Sequence, residues 1–214
     1  MLSIKGKSVR PFLQFSSWDK ELVCLVSHLI FDGEIRKGCI YNNRSYALIL
    51  RVQQAMRKIY SFDPHHSQNP HTGVHRIGYY NVALAAYLSL KAAELLKDIT
   101  HLPKELRRAF LQSFFDDEGC IDFRPGKSSR RVRGYQKDVR ILALVSKLLS
   151  DFGIASHIQL PNEVVISGKQ NLIRFQQEIN FSPGIYVNGN RSNSIWKESL
   201  EKRKILNLAI HSYL

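Results

Sequence analysis

The sequence predicts an α+β (mixed α/β) fold in which one order of elements occurs twice: a helix, two strands, a helix, two strands and a helix. Two observations support this duplication. Apolar residues recur at helical spacing in two separate segments, and each of these helices ends in an acidic residue followed by glycine and a strand-like segment. The two acids, Asp32 and Glu118, are 86 residues apart. We therefore expect two halves, at 12–101 and 102–214.

The first half begins with a helix over 18–32, because its apolar residues fall on one face at three- and four-residue intervals. Ser17 is the expected N-cap, and Gly33 is the expected left-handed residue after the helix. The remaining pattern predicts strands over 34–40, 45–50 and 74–80, a turn over 41–44, a loop at DPHHSQNPHTG, and helices over 55–60 and 82–97.

The second half repeats this order. Pro103 is suited to the first turn of a helix, and the apolar positions that follow continue to Glu118. Gly153 is placed to end a later helix in the left-handed conformation. The pattern predicts strands over 120–123 and 130–136, a turn at RPGKSS, a hairpin of ASHIQL and EVVIS, and helices over 140–153, 171–179 and 194–213.

The overall charge indicates a polyanionic partner. Lys and Arg number 31 against 18 Asp and Glu, which gives a formal net charge of +13. Nucleic acid is the first candidate, and an anionic membrane surface or a ribosomal location follows. No apolar run is long enough to span a membrane, and the basic residues are spread through the chain instead of lying on one amphipathic face, so we expect no membrane partner. Three cysteines without metal-binding spacing indicate an intracellular, reducing compartment, cytoplasmic in a prokaryote or inside an organelle.

The acids at the two helix ends need an explanation. A carboxylate at a helix C-terminus is disfavoured by the helix dipole, so two at equivalent positions suggest a bound cation. Carboxylate and free backbone carbonyl oxygens suit Mg²⁺ or a similar hard cation. If the two helices pack together, the small residues Ser27 and Ser113 would allow close approach and bring the acids together. The alternative is that both acids are solvated residues at helix ends.

The two helix ends LVSHLIFDG (25–33) and LQSFFDDEG (111–119) each match a nonapeptide motif. On these motifs the chain resembles a single-chain, two-motif member of the LAGLIDADG homing endonuclease family. The resemblance implies two halves related by a pseudo-twofold axis and packed through the motif helices. Each half would lay a curved antiparallel sheet along the major groove of DNA.

The resemblance also implies a reaction. Asp32 and Glu118 become the catalytic, metal-binding pair for Mg²⁺ (or Mn²⁺), with added ligands from the carbonyls of Phe31 and Asp117, while Asp116 supports packing. Metal-assisted phosphodiester hydrolysis would leave a double-strand break with short 3′ overhangs. Because the halves differ in sequence, the partner would be double-stranded DNA with a long, non-palindromic site, bound by a monomer encoded in an intron. Lys197 and Gln54 are the candidates for a water-positioning group.

The basic strands would be the DNA-reading surface. Arg and Lys suit guanine edges or phosphates, and Asn suits adenine; for any single residue, phosphate contact or simple solvation is the alternative. The histidines of the loop, His65, His66, His71 and His75, are interpreted as contacts to the DNA backbone, with a zinc site as the alternative. The DNA-binding candidates are Arg36, Lys37, Tyr41, Asn43, Arg44, Arg124, Lys127, Arg130, Arg131, Arg133, Tyr135 and Lys137.

A second class of function remains open. A relative that binds without cutting could be an RNA maturase, which would make intron RNA a partner, or a DNA-binding regulator. The presence of both acids favours cleavage, because binding alone does not require them.

Overall fold

The computed structural model describes residues 3–4, 7–8, 11–124, 126, 128–187, 196 and 198–213. Two compact units are present, residues 1–106 and residues 107–214. Each unit contains one four-stranded antiparallel sheet with helices packed against it. None of the helices in these ranges combines the length and the apolar character needed to cross a bilayer.

The described part of the first unit contains three helices and a four-stranded sheet in the order β3-β4-β6-β5, preceded by a two-stranded hairpin of β1 and β2. The helices are α1 (Lys20–Phe31), α2 (Tyr46–Met56) and α3 (Val82–Asp98), followed by a 3-10 turn (Ile99–His101). The strands are β1 (Ser3–Ile4), β2 (Lys7–Ser8), β3 (Gly33–Glu34), β4 (Cys39–Asn43), β5 (His65–Gln68) and β6 (His75–Tyr79).

The second unit repeats this arrangement, with its sheet in the corresponding order β7-β8-β10-β9. The helices are α4 (Lys104–Glu118), α5 (Val139–Asp151), α6 (Lys169–Glu178) and α7 (Lys202–His211), and the strands are β7 (Gly119–Phe123), β8 (Arg130–Tyr135), β9 (His157–Gln159) and β10 (Glu163–Ser167). The predicted α+β class with two αββαββα halves is therefore confirmed. Of the helix expected over 194–213, residues 196 and 198–201 are not helical and α7 begins at Lys202, while residues 194, 195 and 197 lie outside the described residues.

The apolar faces of α1 and α4 are buried in the cores of their units. Leu25 and Val26 of α1 and Phe110 and Phe114 of α4 are fully buried, and this burial is the main source of helix stability. The N-cap of α1 differs from the prediction. Asp19, not Ser17, caps the helix by accepting a hydrogen bond from the backbone N–H of Leu22 at 2.8 Å.

The segment between β4 and β6 differs from its prediction. Residues 45–50, expected as a strand, begin α2, because Leu48, Val52 and Met56 repeat every four residues and all three are buried on one face. Residues 41–43, expected in a turn, lie in β4. The loop expected at DPHHSQNPHTG contains β5, whose four side chains are all exposed and carry no apolar signal.

Two glycines allow each acid-bearing helix to continue directly into a strand. Gly33 does not have the predicted left-handed conformation; that conformation is found at Gly153, where φ is 70°. A Cβ on Gly33 would lie 2.5 Å from Leu29 Cα, and a Cβ on Gly119 would lie 2.2 Å from Phe115 O. The strands β3 and β7 thus each pass against the last turn of the preceding helix, where only glycine fits.

Substitution Gly119→Ala is expected to lower the free energy of unfolding by about 2–4 kcal/mol, because the added methyl group would overlap a backbone oxygen and force the strand from the helix. Gly126→Ala is the control. Gly126 has φ of 76°, and a methyl group added there would have no neighbour within 4 Å. Only the cost of the left-handed conformation, roughly 1 kcal/mol, is therefore expected. Urea unfolding measures both, and equal losses would contradict the close-approach argument.

Candidate active site and nucleic-acid interface

Asp32 lies at the C-terminal end of α1 and is exposed. Its backbone N–H donates to His28 O at 3.0 Å, which closes the last turn of the helix. The side chain of Asn43, at the end of β4, donates from Nδ2 to Asp32 Oδ2 at 2.9 Å. The amide therefore orients a carboxylate that remains open to solvent.

Asn43 is itself held by Tyr41. Asn43 Nδ2 lies 3.0 Å from the Tyr41 hydroxyl oxygen, and the Tyr41 ring packs edge-on against His28 with centroids 5.4 Å apart. Tyr41 is fully buried. Its assignment as a DNA-reading side chain is therefore wrong, because the buried face of β4 directs the ring toward α1, where it supports the side chain that holds Asp32.

Glu118 lies at the corresponding end of α4 and is half-buried, as is Asp117. The third acid, Asp116, is buried, and its Oδ1 accepts a hydrogen bond from the backbone N–H of Ser182 at 2.7 Å. The three consecutive acids therefore occupy different environments. Asp116 supports the packing of the unit, while Glu118, next to the glycine, matches the position of Asp32 in α1.

A buried lysine from a distant part of the sequence holds the end of α4. Lys202, the first residue of α7, is only 8% exposed, and its ammonium donates to Asp116 O at 3.0 Å and Gly119 O at 2.7 Å. Burial lowers the pKa of Lys202, and the nearby acids Asp116 and Asp117 oppose that shift. The cation also complements the negative end of the helix dipole.

Sequence reasoning did not find Lys202. It is one of three basic residues in the run EKRK, and no local pattern distinguishes it. Neither of the two candidates for a water-positioning group, Gln54 and Lys197, is placed near the acids by the described residues. Gln54 is an exposed residue of α2, and Lys197 lies outside the described residues.

The donor chemistry at the two helix ends fits a hard divalent cation. Asp32 and Glu118 each offer a carboxylate next to the backbone carbonyls of a helix C-terminus, and such all-oxygen sets are the ligands of Mg²⁺ and Mn²⁺. The described residues contain no cluster of three or more His, Cys, Asp or Glu side chains arranged for a metal.

The second sheet has a buried face and an open face. Val132 is fully buried, and a Cβ on Gly134 would meet the Phe114 ring of α4, so this side of β8 faces the helices. Side chains alternate along a strand. Arg131, Arg133 and Tyr135 consequently share the open face of the sheet, where a long ligand could lie.

Arg130 is on the other face and has a different role from the one predicted. Its Nε donates to Ser212 Oγ at 2.7 Å, its Nη2 donates to Ser212 O at 2.8 Å, and its guanidinium stacks 4.8 Å from the Tyr213 ring centroid. These contacts attach the end of α7 to the sheet. Arg130 is therefore a structural residue, contrary to its assignment as a DNA contact.

Asn43, the last residue of β4 and another predicted DNA contact, is half-buried and holds Asp32. Five other predicted DNA contacts lie at the surface, outside the strands. They differ from the residues of the open face in belonging to loops and turns, which suits contact with the phosphates of a polyanion. Lys127 lies outside the described residues. The exposed members of the predicted set are Arg36, Lys37, Arg44, Arg124 and Lys137.

The first sheet contains a basic residue that the sequence pattern did not single out. Arg76 of β6 lies opposite Asn42 of β4, and its Nη2 donates to Glu34 Oε2 at 2.9 Å. Lys37 Nζ lies 3.4 Å from the other carboxylate oxygen of Glu34. The segment HRIGY predicts only a strand, although its alternation with the buried Ile77 could have placed the Arg76 side chain on the opposite face.

The histidines occupy β5 and β6 and the turn between them. His66 and His75 stack with ring centroids 5.3 Å apart, and their Nε2 and Nδ1 atoms are 3.1 Å apart. The spacing of His71 and His75 is not helical, since His75 is in a strand. Among the described residues, no third His, Cys, Asp or Glu side chain joins His66 and His75 in an arrangement that could bind zinc.

Comparison with known proteins supports the duplicated architecture. Residues 105–180 match the model of a LAGLIDADG-like domain. I-DmoI in complex with DNA and Ca is 19% identical, with a TM-score of 0.56 over 77% of this chain and 91% of I-DmoI, and I-DmoI has also been solved with DNA and Mn. Mesophilic variants of the homing endonuclease I-DmoI are 17% identical, with a TM-score of 0.58 over 77% of this chain and 94% of theirs.

A second kind of protein has the same fold. Full-length WhiA from Thermatoga maritima is 14% identical, with a TM-score of 0.59 over 94% of this chain and 63% of WhiA. No curated protein sequence gives a significant match. The resemblance predicted from the two motifs is therefore confirmed at the level of the fold: residues 105–180 match the model of a LAGLIDADG-like domain, and the chain is similar in fold to I-DmoI and WhiA.

Proposed function

We propose that the protein is a site-specific endonuclease that cuts double-stranded DNA with the help of divalent metal ions. The observation that supports it is the repeated joint of helix, carboxylate, glycine and strand, present once in each unit. Asp32 and Glu118 occupy equivalent places at these joints. I-DmoI, which has the same fold, has been solved in complex with DNA and with Ca or Mn.

The residues of this chain have separable roles in the proposed reaction. Asp32 and Glu118 would each bind divalent metal, which supplies charge stabilisation at the phosphate and a more acidic bound water. Asn43 orients the Asp32 carboxylate through its 2.9 Å hydrogen bond. Lys202 holds the end of α4 and offsets the negative charge of the neighbouring acids while its own side chain stays buried. We expect the open face of each sheet to bind DNA.

The two units differ in the residues that they present, and this supports an asymmetric target. The open face of the second sheet carries Arg131, Arg133 and Tyr135, whereas the first sheet carries Arg76 and Asn42. Different side chains read different bases, so the two parts of the site need not be related by symmetry. We expect a long, non-palindromic site, cut in both strands to leave short 3′ overhangs by a monomer encoded in an intron.

The test is cleavage of a library of long DNA duplexes with randomised sequence, in the presence of Mg²⁺ or Mn²⁺, followed by sequencing of the new ends. We expect enrichment of one long asymmetric sequence with paired cuts that leave 3′ extensions. Parallel reactions with EDTA should give no enrichment, because the acids alone do not activate water at a phosphodiester. Cutting without sequence preference, or no cutting in either metal, would contradict the proposal.

Binding without cleavage is the second candidate, as a DNA-binding regulator or an RNA maturase. The similarity to WhiA supports this candidate, because WhiA is a LAGLIDADG protein that does not cleave, and the shared fold is therefore compatible with binding alone. The library experiment separates the two functions: a binding protein would retain one set of duplexes intact in both metals. A maturase would instead retain structured RNA in preference to duplex DNA, which a competition between the two nucleic acids measures.

A further inference from the structure

Acidic side chains lie among the arginines on the open face of the second sheet. The register places Asp122 of β7 opposite Arg131 of β8, and Glu163 of β10 opposite Tyr135. Arg131 Nη2 donates to Asp122 Oδ2 at 3.0 Å, and Arg133 Nε donates to Glu163 Oε2 at 2.9 Å. Arg133 Nη2 also donates to Glu163 Oε1. Both arginines are thus held by carboxylates of the neighbouring strands.

The pairs form one network across three strands, because Arg133 Nη1 also lies 4.0 Å from Asp122 Oδ2. The acidic side chains are the more buried partners. Asp122 and Glu163 are 20% and 17% exposed, against 39% and 32% for Arg131 and Arg133. A ligand that approaches this face therefore meets the guanidinium groups first and the carboxylates behind them.

The first sheet has the same kind of pairing but builds it from different positions. Arg76 of β6 pairs with Glu34 of β3 across the intervening strand β4. In the second sheet the strand that corresponds to β6 is β10, which contributes Glu163, an acid, where the first sheet contributes an arginine. The pairing is thus present in both units although the individual residues are not repeated.

The pairing affects phosphates and bases differently. A guanidinium has five N–H donors, and Arg133 directs two of its nitrogens at Glu163, which leaves the remaining donors in a defined direction. A phosphate carries negative charge, so it must displace the carboxylate or tolerate its repulsion. A guanine edge is uncharged and accepts two hydrogen bonds at N7 and O6. The carboxylate therefore penalises a phosphate more than it penalises a guanine.

We propose that Asp122 and Glu163 are specificity-determining residues, which restrain Arg131 and Arg133 so that these arginines contact bases in preference to phosphates. The proposal rests on the proposed DNA-binding function and deepens it, since it assigns a role to acids on a surface that a polyanion approaches. Repulsion of the wrong contact is a general means of achieving specificity.

The test compares Glu163→Gln with the unchanged protein in binding to a fluorescent duplex of arbitrary sequence, in EDTA and over a range of salt concentrations. Freed from its carboxylate, Arg133 can bind a phosphate. We expect affinity for the arbitrary duplex to rise at least about threefold, with a salt dependence steeper by about one phosphate contact, or roughly 0.9 in the logarithmic slope. Sequences selected from a random duplex library should also become less uniform.

Glu178→Gln is the matched control. It removes the same charge from the same unit and breaks a similar pair, in which Arg108 Nη2 lies 2.7 Å from Glu178 Oε2 at the end of α6. Its effect on binding reports the change in net charge together with the loss of an arginine–carboxylate pair between two helices. Equal binding by the two variants, or weaker binding by Glu163→Gln, would overturn the proposal. If none of the three proteins bound duplex DNA, the proposed function itself would fail.

Discussion

Asp32→Asn or Glu118→Gln is expected to abolish cleavage, lowering its rate by roughly a thousandfold or more, while DNA affinity changes little. Each substitution keeps the size of the side chain and removes the anionic oxygen that would bind the metal. The two acids lie at equivalent helix ends in different units. We therefore expect either change alone to prevent double-strand cleavage, as measured on the enriched target with Mg²⁺.

Asp117→Asn is the control for this experiment. It makes the same change of charge next to Glu118, but it leaves the backbone carbonyl that is proposed to face the metal. This variant should retain most of the cleavage rate. Binding of the target in EDTA shows whether each variant still recognises DNA. Unchanged cleavage by Asp32→Asn or Glu118→Gln, or loss of target binding by either, would count against the assignment of these acids.

Lys202→Met is expected to lower the free energy of unfolding by about 2–4 kcal/mol, because it removes two charge-assisted hydrogen bonds and leaves their carbonyl acceptors buried. The ammonium donates to Asp116 O and Gly119 O, and the side chain is almost fully buried. Methionine is close to lysine in length and is apolar, so the substitution leaves little empty space. The loss in free energy of unfolding therefore measures the missing charge and hydrogen bonds.

The control is Lys204→Met, two residues along α7. Lys204 is exposed, so its replacement should change the free energy of unfolding by no more than about 0.5 kcal/mol. Urea unfolding followed by circular dichroism compares the two variants. A Lys202→Met protein as stable as Lys204→Met would mean that the buried ammonium does not stabilise the end of α4.

The elements with a strong apolar period could be predicted from the sequence. Helices α1, α3 and α4 lie within a few residues of their predicted bounds, because their buried faces repeat at helical spacing. The strand β5 was missed because HHSQ is exposed at every position and has no apolar alternation. The sequence predicts a strand where α2 begins, because the first residues of α2, with the preceding serine, read SYALIL, a largely apolar run without an early polar interruption.

The site could be predicted only where a local pattern carries it. Acid followed by glycine after an amphipathic helix is visible in the sequence, and it locates Asp32 and Glu118. The partners of these helix ends come from elsewhere in the chain. Asn43 contacts Asp32 because β4, which ends at Asn43, pairs with β3, and Lys202 lies 84 residues after Glu118. Sequence spacing carries no information about such contacts. The burial of Tyr41 was missed because strand register was not known.

The close contact of helix and strand at Gly33 and Gly119 has a mechanical consequence. With no side chain between them, β3 and β7 pack directly on the backbone of the last helical turn, next to the carboxylate. In the proposed reaction, a displacement of either strand by a bent or mismatched duplex would therefore shift the adjacent acid as well. Recognition at the sheet and alignment at the reacting phosphate would thus be coupled through this close contact in each unit.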